Sequence, residues 1–414
     1  MPTREFADTI RPWTRKARRK SPVWRPWTPE TYVATRVARV FNACSHRLKT
    51  GATLSAYGSL SSPMSESSFY HRLIAGETGV ATFPLRALLR AAESVYALGV
   101  GRRNARFDRD SGVHRVPVPV ISVGNITVGG TGKTPIVIDL LRRLRNRGLR
   151  PAVVSRGYGA GDGGENDEAK LVRRRFSDAI LVCDADRVRG ARTAIAKGAN
   201  VIVLDDGFQH RRLARDLDIV AVDATRPFGY GHLLPRGLLR EPVASLRRAG
   251  LIVLTRCDQV SDDSLAAIEA EVRRIAPDAP RLKCRHHVTG LERLDGASEN
   301  IELRGKRVVL FAGIARPERF LDTVRSLGAT VVGVHWWPDH YAYRDGDLTA
   351  RLRQSDFPPF DFLVTTEKDA VKLTGLKDPA DVPILVLRVD IDFQDGGDRM
   401  LQTILEQRLT QRPA

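Results

Sequence analysis

The sequence predicts an α/β fold on a parallel sheet of the P-loop NTPase kind, with a second, smaller α/β domain. Three observations carry that expectation. Short unbroken runs of β-branched and aliphatic residues alternate with longer stretches able to form helices. One of these runs empties into a glycine-rich loop, Thr127-Val128-Gly129-Gly130-Thr131-Gly132-Lys133-Thr134, followed at once by Pro135 and a periodic apolar stretch. A later run, Val201–Leu204, ends in the paired acids Asp205-Asp206. A buried strand that feeds a turn and a helix, with acids at the carboxyl end of another strand, is an arrangement that grips nucleoside phosphates.

Taken in order, residues 1–67 read as a basic, disordered extension rich in Arg, Trp, Pro and Ser. Residues 1–63 hold twelve Lys and Arg against three acids, which is half of the net charge of +18. They contain no continuous apolar run of the kind a secretory signal needs, and Met64 is an alternative start. So basic a chain favours an acidic partner, whether nucleic acid, an anionic membrane surface or a phosphorylated substrate. Residues 68–108 read as an amphipathic helical segment. Between Phe83 and Phe107, Leu85, Leu88, Leu89, Ala92, Val95, Tyr96 and Leu98 recur at helical spacing while Arg86, Arg90 and Glu93 fall elsewhere. A spanning helix needs about 20 mostly apolar residues, and these charges interrupt the run. Two readings stay open: a helix lying in a membrane interface with Arg102, Arg103 and Arg106 at its end, or a helix packed on the protein's own core.

Residues 109–300 form the expected core domain, with strands at Val118–Val123, Ala152–Val154, Ile180–Val182, Val201–Leu204, Ile219–Val222 and Leu251–Leu254. The stretch "LRGKRV" (303–308) reads as a joint, and residues 301–414 as the smaller α/β domain, with strands at Val308–Phe311, Thr330–Val334, Phe362–Thr365 and Ile384–Leu387. Four scattered cysteines indicate a reducing compartment. The tempting "CRHH" at 284–287 has no second cluster to complete a metal site.

The loop departs from G-x-x-x-x-G-K-[ST] at Thr127, which stands where the first glycine belongs. Lys133 supplies a point charge for the β- and γ-phosphates. The Thr134 hydroxyl and one of Asp205 and Asp206 are the expected Mg²⁺ ligands. The stretch "LTRCD" (254–258) is a distant match to a base-reading N-K-x-D loop, and a strand followed by a polar turn explains it equally well. The cradle alone does not say whether phosphate is hydrolysed, sensed or transferred. A regulatory NTPase and a nucleic-acid-binding protein are therefore the alternatives to a kinase.

Longer motifs narrow the choice: "FYHRLIAGE", "VPVPVISVGNITVGGTGKTP", "SRGYG", "DDGFQHRRLARDLDIVAVDATRPFGYGHLLPRGLLREP", "FAGIARPERF", "PDHYAYRDGDL" and "TTEKDAVKL". In these the chain resembles the tetraacyldisaccharide 4'-kinase (lipid A 4'-kinase) family, over roughly Phe69 to Arg408. That family's loop also carries Thr at the Thr127 position. The resemblance implies an ATP- and Mg²⁺-dependent kinase that phosphorylates the 4'-hydroxyl of a tetraacylated glucosamine disaccharide 1-phosphate to give lipid IVA. It places the enzyme at the cytoplasmic face of the inner membrane, peripheral or monotopic. It also makes the acylated disaccharide and the anionic membrane the partners of the basic surface, with no nucleic acid expected and no obligatory protein partner implied. Asp167 matches the family's catalytic base. It lies in Asn166-Asp167-Glu168-Ala169, where the family has Gly-Asp-Glu-Pro. His340 matches the histidine paired with that base. Arg187, Arg240 and Glu241 match residues near the phosphates, the Mg²⁺ or the substrate. Arg156 and Tyr158, just past a strand end in "SRGYG", are expected to line the substrate mouth. Gln209 and His210 follow the acids, with His210 expected to seat the nucleotide or disaccharide, and Glu367-Lys368-Asp369 reads as structural or hinge-linked.

Overall fold

The computed structural model of the protein describes residues 66–77, 79, 82–157, 166–296, 301–314, 316–376 and 382–410. The basic extension, Tyr158 and residues 160–165 lie outside the described residues.

Helices α1 (Glu66–Ala75) and α2 (Phe83–Asp108) precede the first strand. The nucleotide-binding half then runs β1 (Val120–Asn125), α3 (Lys133–Asn146), β2 (Pro151–Ser155), α4 (Asp167–Arg175), β3 (Ile180–Cys183), α5 (Arg187–Ala196), β4 (Val201–Asp205), β5 (Leu217–Asp223), β6 (Leu251–Thr255) and α6 (Asp262–Ile275). The chain continues through β7 (Arg281–Arg293), β8 (Arg307–Ala312), α7 (Pro317–Ser326), β9 (Thr330–Trp336), α8 (Asp347–Arg353), β10 (Phe362–Thr366), α9 (Glu367–Leu373), β11 (Ile384–Phe393) and α10 (Gly397–Thr410).

The described strands form one sheet of eleven, in the order β3-β2-β4-β1-β5-β6-β7-β11-β10-β8-β9. Neighbours are parallel throughout except for β7 and β11, which run antiparallel. In β1, β2, β4 and β6 every residue is buried, because helices cover both faces. Ile121 and Val123 of β1 pack with Ile136, Leu140 and Leu144 of α3 on one face. Val120 packs on the other face, with Ala191 and Ala194 of α5.

The sequence reading misses β7. Its residues, RLKCRHHVTGLER, alternate polar and apolar without a continuous β-branched run. It pairs with β6 at Arg281–Lys283 and with β11 over Cys284–Arg293, so one strand joins both halves in a single sheet. The "CRHH" stretch is part of this strand, and Cys284 and His286, two residues apart, share its less exposed face. Helix α10 returns to the first half, where Leu401, Ile404 and Leu405 join the α3 core.

Helix α2 packs on the protein's own core along one side and leaves apolar side chains exposed on another. Leu89, Tyr96 and Val100 are buried against the protein, whereas Phe83, Leu88, Val95 and Leu98 are exposed. Adjacent residues show the split, Val95 being 74% and Tyr96 6% exposed. Among the described residues no helix is long and apolar enough to cross a membrane.

Candidate active site

Strand β4 lies beside β1 in register, Asp205 opposite Val123, so the paired acids meet the glycine-rich loop. Two close approaches make the junction compact. A Cβ on Gly124 would sit 2.5 Å from the Cβ of Phe208, and one on Gly207 would sit 2.7 Å from Ser122 Oγ. Phe208 is fully buried under β1. Thr127 does not occupy a glycine-demanding turn: it extends β1 into an antiparallel bridge with Leu239, and the Val128 amide donates to Leu238 O at 2.8 Å. The left-handed conformations fall at Gly129 (φ 105°) and Gly132 (φ 83°), which keep their glycines.

The loop is held from behind. Thr255 Oγ1 donates to Thr131 O at 2.9 Å, and Arg256 Nη1 donates to Gly130 O at 3.0 Å. A trans peptide sets its N–H opposite its C=O, so the amides of Thr131 and Gly132 point away from β6. Asn125 Nδ2 donates to Thr131 Oγ1 at 2.9 Å, and Gln209 Nε2 donates to Asn125 O at 2.7 Å. Helix α3 starts at Lys133, adding its positive N-terminal end to these amides. The result is a cradle for a polyphosphate. Thr255 and Arg256 belong to "LTRCD", so that stretch carries loop braces.

Lys133 Nζ lies 3.2 Å from Asp206 Oδ1, and Arg240 Nη1 reaches both Asp206 oxygens at 2.9 Å. Burial pushes the Asp206 carboxyl up, but Lys133 and Arg240 outweigh it and hold it well below the usual range. Asp205 responds oppositely, pushed up to about 6 by burial, with Lys133 pulling back and Asp206 adding repulsion. Asp205 Oδ1 is buried and finds no hydrogen-bond partner among the described residues. An orphaned carboxylate oxygen beside the Thr134-bearing helix start fits a hard cation such as Mg²⁺. The described residues hold no group of three His, Cys, Asp or Glu that would bind a metal unaided.

Arg187 opens α5 and is buried, its Nη1 donating to Asp184 O at 2.6 Å while Nε and Nη2 find no partner among the described residues. Burial pushes its pKa down to about 10, with Asp205 and Asp206 pulling it back, so the guanidinium stays charged at neutral pH. His210 is pushed down to about 3, by burial first and Arg187 next, and is neutral. Arg156, at the end of β2, is near enough for its charge to act on both.

Asp167 is the first residue of α4, whose cap is Asn166: its side chain accepts from the Ala169 amide at 2.9 Å. The flanking departures from Gly-Asp-Glu-Pro thus compensate each other. A proline at the Ala169 position has no N–H to cap, whereas alanine has one and Asn166 takes it. Glu168 is near enough to Asp205 to act on its charge, which sets the start of α4 beside the metal-fitting acid. From the other half of the chain, His340 Nδ1 meets Asp167 Oδ2 at 3.2 Å across 173 residues of sequence. His340 sits in the left-handed region at φ 61°, an uncommon conformation for a non-glycine residue.

Glu241 does not join this cluster. It is fully buried, and its two oxygens go to Arg103 of α2 at 2.8 Å and Arg248 at 2.6 Å. In this position it ties α2 to the residue beside Arg240.

The family model for tetraacyldisaccharide-1-P 4'-kinase matches residues 85–410. The chain belongs to this family. The tetraacyldisaccharide 4'-kinase of Anaeromyxobacter sp. (strain K) is 43% identical over 80% of this chain and 93% of its own length. That of Syntrophus aciditrophicus is 39% identical over 74% of this chain and 89% of its own. Among solved structures, LpxK from Aquifex aeolicus in complex with ATP is 29% identical with a TM-score of 0.62. The match covers 78% of this chain and 99% of that one. The kinase family thus embraces both halves of the sheet, and ATP-dependent 4'-phosphorylation of the lipid A disaccharide precursor is this chain's activity.

Proposed function

We propose that this 4'-kinase works by direct in-line transfer, with Asp167 as base and His340 holding Asp167 in position. The observation that carries the proposal is the Asp167–His340 contact at the start of α4, beside the acids of the phosphate site. Asp167 takes the proton of the sugar 4'-hydroxyl as that oxygen bonds to the γ-phosphorus. The bond from phosphorus to the β,γ-bridging oxygen breaks, and ADP leaves with the electron pair.

Thr127 to Thr134 wrap the triphosphate, with outward amides and Lys133 Nζ as donors. Lys133 and Arg240, which now neutralise Asp206, turn their charge to the phosphoryl oxygens as those oxygens arrive. Arg187, whose Nε and Nη2 find no partner among the described residues, supplies two more donors. Thr134 and Asp205, with Asp206 alongside, would hold Mg²⁺, which when bound neutralises charge on the β- and γ-phosphates. His340 keeps the Asp167 carboxylate oriented by hydrogen bonding.

The enzyme sits on the cytoplasmic face of the inner membrane in this account. The exposed side of α2, with Phe83, Leu88, Val95 and Leu98, lies in the interface, and Arg102 and Arg106 meet lipid phosphates. Acyl chains of the disaccharide then stay in the bilayer while its head enters the site.

ATP turnover should be close to zero without lipid and should rise when tetraacyl disaccharide 1-phosphate is presented in mixed micelles, with one phosphorylated lipid formed per ADP. Equal turnover with and without the lipid would contradict direct transfer.

A further inference from the structure

The pair formed by Asp167 and His340 has a third member at its outer end. Lys368 Nζ lies 3.2 Å from His340 Nε2 and 2.8 Å from Asp339 Oδ1. Lys368 and Lys372 stand four residues apart on α9, so they share a helix face. Lys372 Nζ is 3.8 Å from the same Asp167 oxygen that His340 meets, and 3.2 Å from the fully buried Asp369. The helix is fixed against α4: Arg175 of α4 donates to both oxygens of Glu367 at 2.6 and 2.8 Å, in a contact buried on both sides. Thr366 caps α9 by accepting from the Asp369 amide at 3.2 Å.

We infer that Lys368 is a positioning residue for the transfer, selecting the His340 tautomer that serves Asp167. An ammonium group has donors only. At 3.2 Å its N–H can pair with Nε2 only if that nitrogen carries a lone pair, which places the imidazole proton on Nδ1. Nδ1–H then donates to Asp167 Oδ2, and the carboxylate keeps its other oxygen for the sugar hydroxyl. The opposite tautomer would set an Nε2–H against the Lys368 donors and an Nδ1 lone pair against Asp167. Its nearest acceptor on the Nε2 side, Asp339 Oδ2, is 3.9 Å away, beyond hydrogen-bond range. Asp339 in turn holds the ammonium in place and also accepts from the His340 amide at 3.0 Å. The sequence placed Lys368 in a structural stretch, and only its juxtaposition with His340 gives it this role.

The inference rests on the reading of Asp167 and His340 as base and orienting group. A double-mutant cycle between Lys368 and His340 tests it in the full-length enzyme in micelles. Lys368→Met should lower kcat for lipid phosphorylation about tenfold with the KM for ATP unchanged, and Lys368→Arg should recover most of the loss. In a His340→Ala background, Lys368→Met should cost nothing further. ¹⁵N shifts of His340 should report Nδ1 protonated in the wild type and a mixture of tautomers in Lys368→Met. A full tenfold loss persisting in His340→Ala, or an unchanged tautomer, would overturn the positioning role while leaving the Asp167–His340 reading intact. Wild-type activity of His340→Ala itself would overturn both.

Discussion

The phosphate cradle and the Asp167–His340 pair are built in opposite ways. The cradle is one contiguous stretch, Thr127 to Thr134, between a fully buried strand and a helix, and buried Asn125, Thr131 and Thr255 brace it. The pair joins residues 173 positions apart, and its His340 side chain is 56% exposed. The cradle's residues are contiguous in the chain, while the pair exists only when the two halves of the sheet bring the start of α4 and the loop after β9 together. Binding of phosphate and transfer of phosphate should therefore fail separately.

The largest separation is expected from two single substitutions. Lys133→Ala should lower kcat/KM about 10³-fold and weaken ATP binding, because the cradle loses its point charge. Asp167→Asn should lower kcat about 10²-fold while leaving ATP affinity within about twofold, measured by equilibrium binding and lipid phosphorylation. A matching loss of ATP affinity in both variants would dissolve the distinction. Breaking the joint between the halves is the next test. Arg175→Met strands the buried Glu367 carboxylate and should cost about 3–5 kcal/mol of stability in chemical denaturation.

That asymmetry also governed what could be read from the chain. The parallel sheet, the loop and the acids at the end of β4 were legible because each is a local pattern: continuous apolar runs, glycines at turns, acids at a strand end. Strand β7 was not, because its alternating RLKCRHHVTGLER carries no such run. Asp167 and His340 were named from family resemblance alone, since spacing says nothing about a contact over so long a separation. Thr255, Arg256 and Lys368 escaped because their roles are contacts, with Thr131 O, Gly130 O and His340 Nε2 respectively. Helix α2 was open to two readings, a helix in a membrane interface or one packed on the core. It buries some apolar residues and exposes others, and only packing tells Val95 from Tyr96.

The face of α2 that points outward gives a further contrast. Changing Leu88, Val95 and Leu98 together to Ser should reduce binding to anionic vesicles at least about tenfold, with little change in thermal stability. Leu89→Ser, on the buried side, should instead destabilise the fold.

Smaller effects belong to the cradle's surroundings. His286 Nε2 is 3.1 Å from where a Cβ on Gly132 would lie, and burial pushes this imidazole down to about 4. A histidine whose pKa falls on folding resists protonation in the native state. Its contribution to stability is therefore kept above the unfolded value of about 6.5 and lost as pH falls from there to about 4. Buried His210 acts in the same direction. His286→Leu should flatten the acid limb of the stability curve without removing it. The smallest effect is at the α4 cap, where Asn166→Ala should cost about 1 kcal/mol and Asn166→Gly a few tenths.

One measurement reaches the central claim, that a gripped triphosphate is delivered to a sugar hydroxyl by Asp167 of the near half together with His340 of the far half of the chain. Enzyme saturated with ATP and Mg²⁺ is mixed with limiting tetraacyl disaccharide 1-phosphate, and the first turnover is followed by mass spectrometry for the wild type, Asp167→Asn and His340→Ala. The account predicts that all three bind ATP alike and that only the wild type forms the 4'-phosphorylated lipid at full rate. First-turnover rates equal to the wild type in both variants would contradict it.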